Sequence, residues 1–428
     1  MRAANMRSHH PRFCWRNGTM LARLLMSILL LALAGCTSWQ VPAEFDDSAL
    51  RARAEVQQVR GVTLSAAVLS TEDSQRAFGV NVNEEGIQPV WIEVENSTNQ
   101  VLWLLRSGAD PDLFSPLEVA WSFHASFFAG ETNNRLDEHF HNMSFQNPVS
   151  PGAKESGIIF TNPHHMTRLL SVDILGQGDM FPFTLFPPVP DDQTEEARAV
   201  LVNTRQLIKE VTVDIKEANV LRARLEQLPC CASSVDGKEY GDPFNVILIG
   251  SLADIASALV RRGFRLDALN FDRRQQFYGR PPDLVARKKG QAGVPANWLR
   301  VWVAPFSYQG KAVFLVQAGR RQGWRLQEID ENDMVLSPKV DEVRNLFIQD
   351  MIYSSGLEKV AFVSGVGATR PGESRSSLDT SYQTDGLRAV LFLVTRPLSL
   401  SDLEILDWHP ALKLQEIEVM QERGDAGN

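Results

Sequence analysis

An apolar run of ten residues, Leu24 to Leu33, breaks at Ala34-Gly35-Cys36 near the start of the chain. Ahead of and around it, the first 35 residues hold five arginines (Arg2, Arg7, Arg12, Arg16 and Arg23) and no acid. A basic stretch, a short apolar run and small residues before a cut site make a secretory signal. The run is about half the roughly 20 apolar residues that a membrane-spanning helix needs. What remains is therefore expected to fold after export, in an oxidising compartment, without residues 1–35.

The tetrapeptide Leu33-Ala34-Gly35-Cys36 resembles the bacterial lipobox. The resemblance implies that Cys36 is acylated, that the signal is cut just before it, and that the mature chain begins there. One acyl chain binds a membrane marginally, at about 0.8 kcal/mol per buried CH2, whereas two or more give stable attachment. The expected product is a lipid-anchored lipoprotein of the cell envelope, carrying palmitate-like chains on Cys36. Thr37 stands where an aspartate would favour retention at the inner membrane, which points to the outer membrane, facing the periplasm. Met20 is an alternative start, leaving Arg23 as the only basic residue before the run.

Losing the five signal arginines takes the formal net charge from −9 to −14. An acidic balance of that size argues against nucleic-acid partners, which require a basic footprint. About 390 residues exceed one compact core, so two domains are expected. Of the four cysteines, Cys14 leaves with the signal and Cys36 is acylated. Cys230 and Cys231 are neighbours and can bridge each other only through a tight ring, so at least one is expected as a buried thiol.

Strands are expected at Val62–Leu69, Phe78–Val82, Val90–Glu95, Val101–Arg106, Val119–Phe123, Ser156–Thr161, Leu169–Leu175 and Phe181–Phe186, with a helix as the alternative within Leu113–Phe128. Val90, Ile92 and Val94 alternate with polar or bulky neighbours, the period of a strand with one dry face. Short strands separated by turn clusters predict an antiparallel β-sandwich of immunoglobulin-like architecture over residues 61–190. Residues 36–60 read as a tether. Residues 191–228 read as a helical connector, capped by Thr194 and ending before Pro229.

Residues 229–416 alternate strand and helix. Asn245–Gly250, Leu252–Arg262, Leu299–Phe306, Ala312–Gln317, Val340–Tyr353 and Val360–Val363 give the order β-α-β-β-α-β of a split ferredoxin-like sheet, extended by Leu387–Thr395. The fold class is thus α+β in two domains. Arg370–Asp385 reads as a mobile polar loop, and residues 417–428 as a disordered tail.

A family resemblance rests on Gly241 to Ser251 (GDPFNVILIGS), Phe277 to Leu284 (FYGRPPDL), Lys288, Leu299-Arg300-Val301-Trp302, Ile329 to Asp333 (IDEND) and the helix after Asp341. Together these resemble the LssY C-terminal domain family over about Leu228 to Gly367. The resemblance implies no established activity. It does imply company, since relatives are often joined to phosphatidic-acid-phosphatase-like or SNARE-associated membrane domains. Many relatives carry histidines where this chain has Ala296-Asn297-Trp298, which puts any chemistry of those histidines in doubt here.

Candidate chemistry is sparse. The stretch from Arg273 to Lys289 gathers Arg273, Arg274, Arg280, Arg287, Lys288 and Lys289, an expected loop that can hold a phosphate or anionic head group through Arg280 and Lys288. The competing reading is a structural turn set by Gly279 and Pro281, with Arg280 paired to Asp283 or Asp330, and charge runs favour it. His139 and His141 would share one side of a strand and reach a metal with Asp137 or Glu138, but no third ligand is fixed and no metal or cofactor is expected. GxSxG, HExxH, Walker A and GxGxxG motifs are absent. Two functions are therefore carried forward. The first is a non-enzymatic binding or scaffolding protein for an envelope protein, glycan or lipid. The second is a hydrolase acting on a phosphorylated or lipid substrate, with Arg280 and Lys288 on the anion and Asp283 or Asp330 as base.

Overall fold

The computed structural model describes residues 39–43, 45–105, 114–124, 130–163, 168–190, 195–267, 274–288, 297–320, 337–378 and 380–408. Cys36 and the signal, Thr194, His164, His165 and residues 417–428 lie outside the described residues. The protein is mixed α+β, with several antiparallel sheets and one large mixed sheet.

In the first half, Glu55–Val59, Val62–Val68, Gln88–Asn96 and Lys154–Thr161 pair antiparallel in that order. A second antiparallel sheet joins Trp103–Leu105, Leu170–Leu175 and Met180–Leu185. Side chains alternate across a strand. Leu64, Ala66, Ile92 and Val94 therefore meet Val172, Ile174, Phe181 and Phe183 in one core between the sheets. The opposite face of the first sheet, with Trp91, Ile158 and Phe160, is covered by helices through Phe78, Leu136 and Phe140.

Those helices correct three expectations. Phe78–Val82 is no strand: Thr71–Phe78 is a helix, because Ser70 and Asp73 cap it reciprocally, and Val82–Glu85 is a 3-10 turn. Val119–Phe123 falls largely in the helix Pro116–Trp121, the alternative expected within Leu113–Phe128, started by a second such box between Ser115 and Glu118 with proline in its first turn. His139 and His141 sit on the helix Gly130–Met143, where residues two apart face different sides. The expected tether also differs in its described part. Ser48–Arg53 is a helix, Glu55–Val59 is the first strand of the sheet, and Leu50 is buried.

In the second half the large sheet runs Phe264–Leu266, Leu284–Lys288, Asn297–Tyr308, Lys311–Arg320, Val246–Gly250, Leu387–Leu393, Leu357–Ser364 and Glu404–Ile405, with Asp214–Ile215 beside Asn297–Tyr308. Val246–Gly250 lies parallel to Leu387–Leu393 and antiparallel to Lys311–Arg320. The helix Val340–Tyr353 therefore makes a crossover between Lys311–Arg320 and Leu357–Ser364 with two strands inserted between them. The strands Phe264–Leu266 and Leu284–Lys288 fall where none was expected; Leu284–Lys288 replaces part of the expected basic loop.

Both faces of this sheet are dry. Val246 and Leu248 pack against Ile255, Leu259, Phe347 and Met351 of two helices, joined by Leu207 and Ile208 of the helix Glu195–Glu210. Ile247 and Ile249 face the other way, onto Leu221 and Leu225 of the helix Ala218–Glu226, with Phe244, Phe277 and Trp302. The connector helices thus belong to the body of the large sheet. Within Arg370–Asp385, Arg375–Ser376 and Ser381–Tyr382 form a small hairpin, and Tyr382 is buried against Val285, Trp298, Val340 and Val366. Its aromatic ring docks the segment expected to be mobile.

Candidate functional site

The FYGRPPDL segment begins with a two-residue turn. Phe277 and Arg280 exchange both backbone hydrogen bonds, at 2.8 and 3.0 Å. Tyr278 and Gly279 between them have φ of 49° and 74°. Positive φ at both central positions is the type I′ turn, which glycine at the second position relieves. Phe277 is the buried anchor, edge-on to Phe244 at 5.5 Å, while Tyr278 points outward.

Arg280 then folds back onto the neighbouring strand. It donates to the carbonyl of Val303 at 2.7 Å and pairs through Nε with Asp283 at 3.0 Å. Asp283 accepts from the Val303 N–H at 2.7 Å through its other oxygen, and its own N–H donates to Val301 at 2.8 Å. Trp302 closes the ring by donating to the Arg280 carbonyl at 3.0 Å. Burial pushes the Asp283 carboxyl up to about 6, against the Val303 N–H and the Arg280 guanidinium, which pull it down. Such a value suits proton transfer. Each oxygen, however, already carries one of these contacts and the side chain is only 4% exposed, so little of this carboxylate is open to a substrate.

Lys288 is elsewhere. Its Nζ stands 2.6 Å from Asp350 on the Val340–Tyr353 helix, beside Arg262, which reaches the same oxygen at 3.2 Å. Asn297 links the other Asp350 oxygen, at 3.5 Å, to Arg320, at 3.3 Å. Among the described residues, Lys288 and Arg262 thus share one oxygen of Asp350, Arg320 connects to the other through Asn297, and Lys288 and Arg262 remain about a third exposed. Arg287 pairs with Asp267. The basic stretch is therefore divided among separate partners, and the structure does not bring Arg280 and Lys288 onto one anion. Asp330, Arg273, Lys289 and Ala296 lie outside the described residues.

The histidines are separated too. His124 bonds Asp137 at 2.8 Å, and His139 bonds the Ala77 carbonyl at 2.8 Å. Among the described residues no group of three or more His, Cys, Asp or Glu is placed to hold a metal ion.

Three features escaped sequence reasoning. Arg300 and Asp242 form an interior ion pair at 2.8 Å. Gln317 donates to the Asp242 carbonyl at 2.7 Å, and the Asp242 N–H donates to Gln275 at 2.8 Å. Arg388 is fully buried, and its guanidinium is spread over backbone carbonyls. Cys230 and Cys231 are bridged, where at least one buried thiol was expected. A charged residue inside an apolar strand, such as Arg300 in Leu299–Trp302, was the available signal for the first, because a buried charge requires a partner. No protein-family model matches the chain and no curated protein matches it either, so the roles of these residues rest on their own geometry.

Proposed function

We propose that the protein is a lipid-anchored envelope protein that binds or scaffolds an envelope partner, glycan or lipid and performs no turnover. The observation that carries this reading is the closed circuit of Arg280, Asp283 and Val303, in which the candidate base and its cation bond each other and a strand. The anchor is Cys36, held by acyl chains in the outer membrane on its periplasmic side. The finer fold belongs to the same proposal. Two antiparallel sheets around one core support an immunoglobulin-like sandwich, and helical crossovers with strands inserted support the split ferredoxin-like arrangement. The GDPFNVILIGS and FYGRPPDL segments support membership of the LssY C-terminal domain family. What supports an anionic ligand, such as a head group, is the cation excess of Arg262, Lys288 and Arg320 around Asp350.

The raised value of Asp283 favours the second reading, a hydrolase of phosphorylated or lipid substrates. One set of experiments separates the two. Wild-type protein enters the detergent phase with membranes, and Cys36→Ser shifts to an unprocessed or soluble form, because only a thiol there takes the lipid. Pure protein bound to vesicles of anionic lipid then retains that binding in Asp283→Asn and loses it in Lys288→Ala. Turnover of a phosphorylated lipid that disappears in Asp283→Asn establishes the hydrolase and ends the binding-only reading.

A further inference from the structure

The bridge between Cys230 and Cys231 cannot act as a staple. A cross-link between neighbours closes almost no loop, so it removes almost no entropy from the unfolded chain. Its effect has to be local. The backbone around it is held independently: Arg388 donates to the carbonyls of Leu225, Leu228, Pro229, Phe244 and Gly365. Phe244 in turn donates to the Cys230 carbonyl at 2.9 Å.

The two sulfurs differ in surroundings. Cys231 is buried, with Sγ 3.4 Å from the Tyr382 hydroxyl, while Cys230 is half-buried and is the partner a solvent thiol can approach. Tyr382 belongs to the small hairpin Arg375–Ser376 and Ser381–Tyr382, whose connecting Ser377 donates to Asp242. Beneath it lies the interior cluster of Asp242, Arg300, Gln317 and Gln275. Two buried donors of that region, Gln275 Nε2 and Trp298 Nε1, have no partner among the described residues. Buried polar groups of this kind are ordinarily satisfied by water or a ligand.

We propose that Cys230–Cys231 is a redox switch, which holds the Tyr382 hairpin down over the Asp242–Arg300 cluster when oxidised and releases it when reduced. Two unbonded sulfurs stand at van der Waals separation, farther apart than a bonded pair, and that room comes from the side chains packed on Cys231, Tyr382 among them. Thiol–disulfide exchange with a dithiol reductant supplies the electrons. Its thiolate attacks Cys230 Sγ, the S–S bond breaks, and the electron pair passes to Cys231 Sγ, which takes a proton from solvent. The second thiol of the reductant then attacks the mixed disulfide, freeing the Cys230 thiol as the reductant leaves as a disulfide.

Hydrogen exchange on the purified full chain, with and without dithiothreitol, tests this. We expect amides of 375–386 to exchange about tenfold faster or more after reduction, with Val246–Gly250 and Leu387–Leu393 unchanged. Equal hairpin exchange in both states overturns the switch. So does loss of protection in the central strands together with the hairpin, which marks a global staple. Capture of the untreated protein by phenylarsine oxide, which needs a free dithiol, overturns the oxidised resting state.

Discussion

Arg300 and Asp242 meet at 2.8 Å in the interior, on side chains no more than 3% exposed. Removing two charges from water costs several kcal/mol per ion, and only close geometry with further hydrogen bonds offsets it. Here Asp242 also accepts from Ser377, Arg300 donates to Gln317 at 3.3 Å, and the Trp298 ring lies 4.5 Å from the guanidinium. The pair ties together strand, hairpin and the segment before Val246–Gly250.

Deleting one partner strands the other. Arg300→Met and Asp242→Asn are each expected to cost about 3–5 kcal/mol. The double variant should cost less than the two together, because no uncompensated charge is left behind. Denaturant unfolding of all four proteins measures the coupling. Additivity to within about 0.5 kcal/mol would mean that the pair contributes nothing as a pair.

Asp283 carries a pH dependence of defined sign. Its folded value, about 6, lies above the ordinary 3.8, chiefly through burial. The folded state therefore binds the proton more tightly than the unfolded chain. The associated stability is full below pH of about 4 and is lost as pH rises through about 6, in the order of 3 kcal/mol. Asp283→Asn cannot titrate. The difference in unfolding free energy between wild type and Asp283→Asn should thus fall in the wild type's disfavour from pH 4 to 7. A flat difference across that range would refute the raised value.

Much of this fold was legible in the sequence, and the failures have physical causes. Val340–Tyr353 is a helix over the expected residues, and Val90, Ile92 and Val94 face the expected core. Apolar periodicity carried both. Gly130–Met143 was missed because only Leu136 and Phe140 of its residues are buried, too few to mark a period against eight or more polar neighbours. The capping serines Ser70 and Ser115 were the overlooked local signals. At the candidate site, proximity of Arg280 to Asp283 follows from a short turn. That Lys288 leaves for Asp350, 62 residues along the chain, depends on packing that no local pattern encodes.

Gly319 faces Trp298 directly across neighbouring strands. A Cβ at Gly319 would stand 2.0 Å from the indole ring, so the ring occupies the space a side chain would take. Gly319→Ala must push Trp298 off its strand and away from Arg300. An overpacked core costs about 1–3 kcal/mol. We expect that loss in thermal unfolding, accompanied by a red shift of Trp emission as the ring reaches solvent. Unchanged stability and emission would mean that the ring tolerates the displacement.

Arg388 poses the last test, because its charge is neutralised by no carboxylate among the described residues. Burial alone pushes it down, to about 10, which leaves it protonated at neutral pH. Its partners are carbonyls, and two of them, Leu225 and Leu228, lie at the C-terminal end of the Ala218–Glu226 helix. Terminal helix carbonyls lack intrahelical donors, and a cation there also meets the negative end of the helix dipole. Arg388→Met removes the desolvated charge but leaves several buried carbonyls without their donor, each at about 1–3 kcal/mol. The second effect outweighs the first, so a net loss of about 3 kcal/mol or more is expected. Arg388→Lys keeps the charge but has three donors on one atom and cannot span carbonyls from three segments, so it should fall between the two. Hydrogen exchange at 225–231 should rise in the same order. If Arg388→Met is as stable as wild type, the guanidinium is not what holds the end of this helix to the sheet.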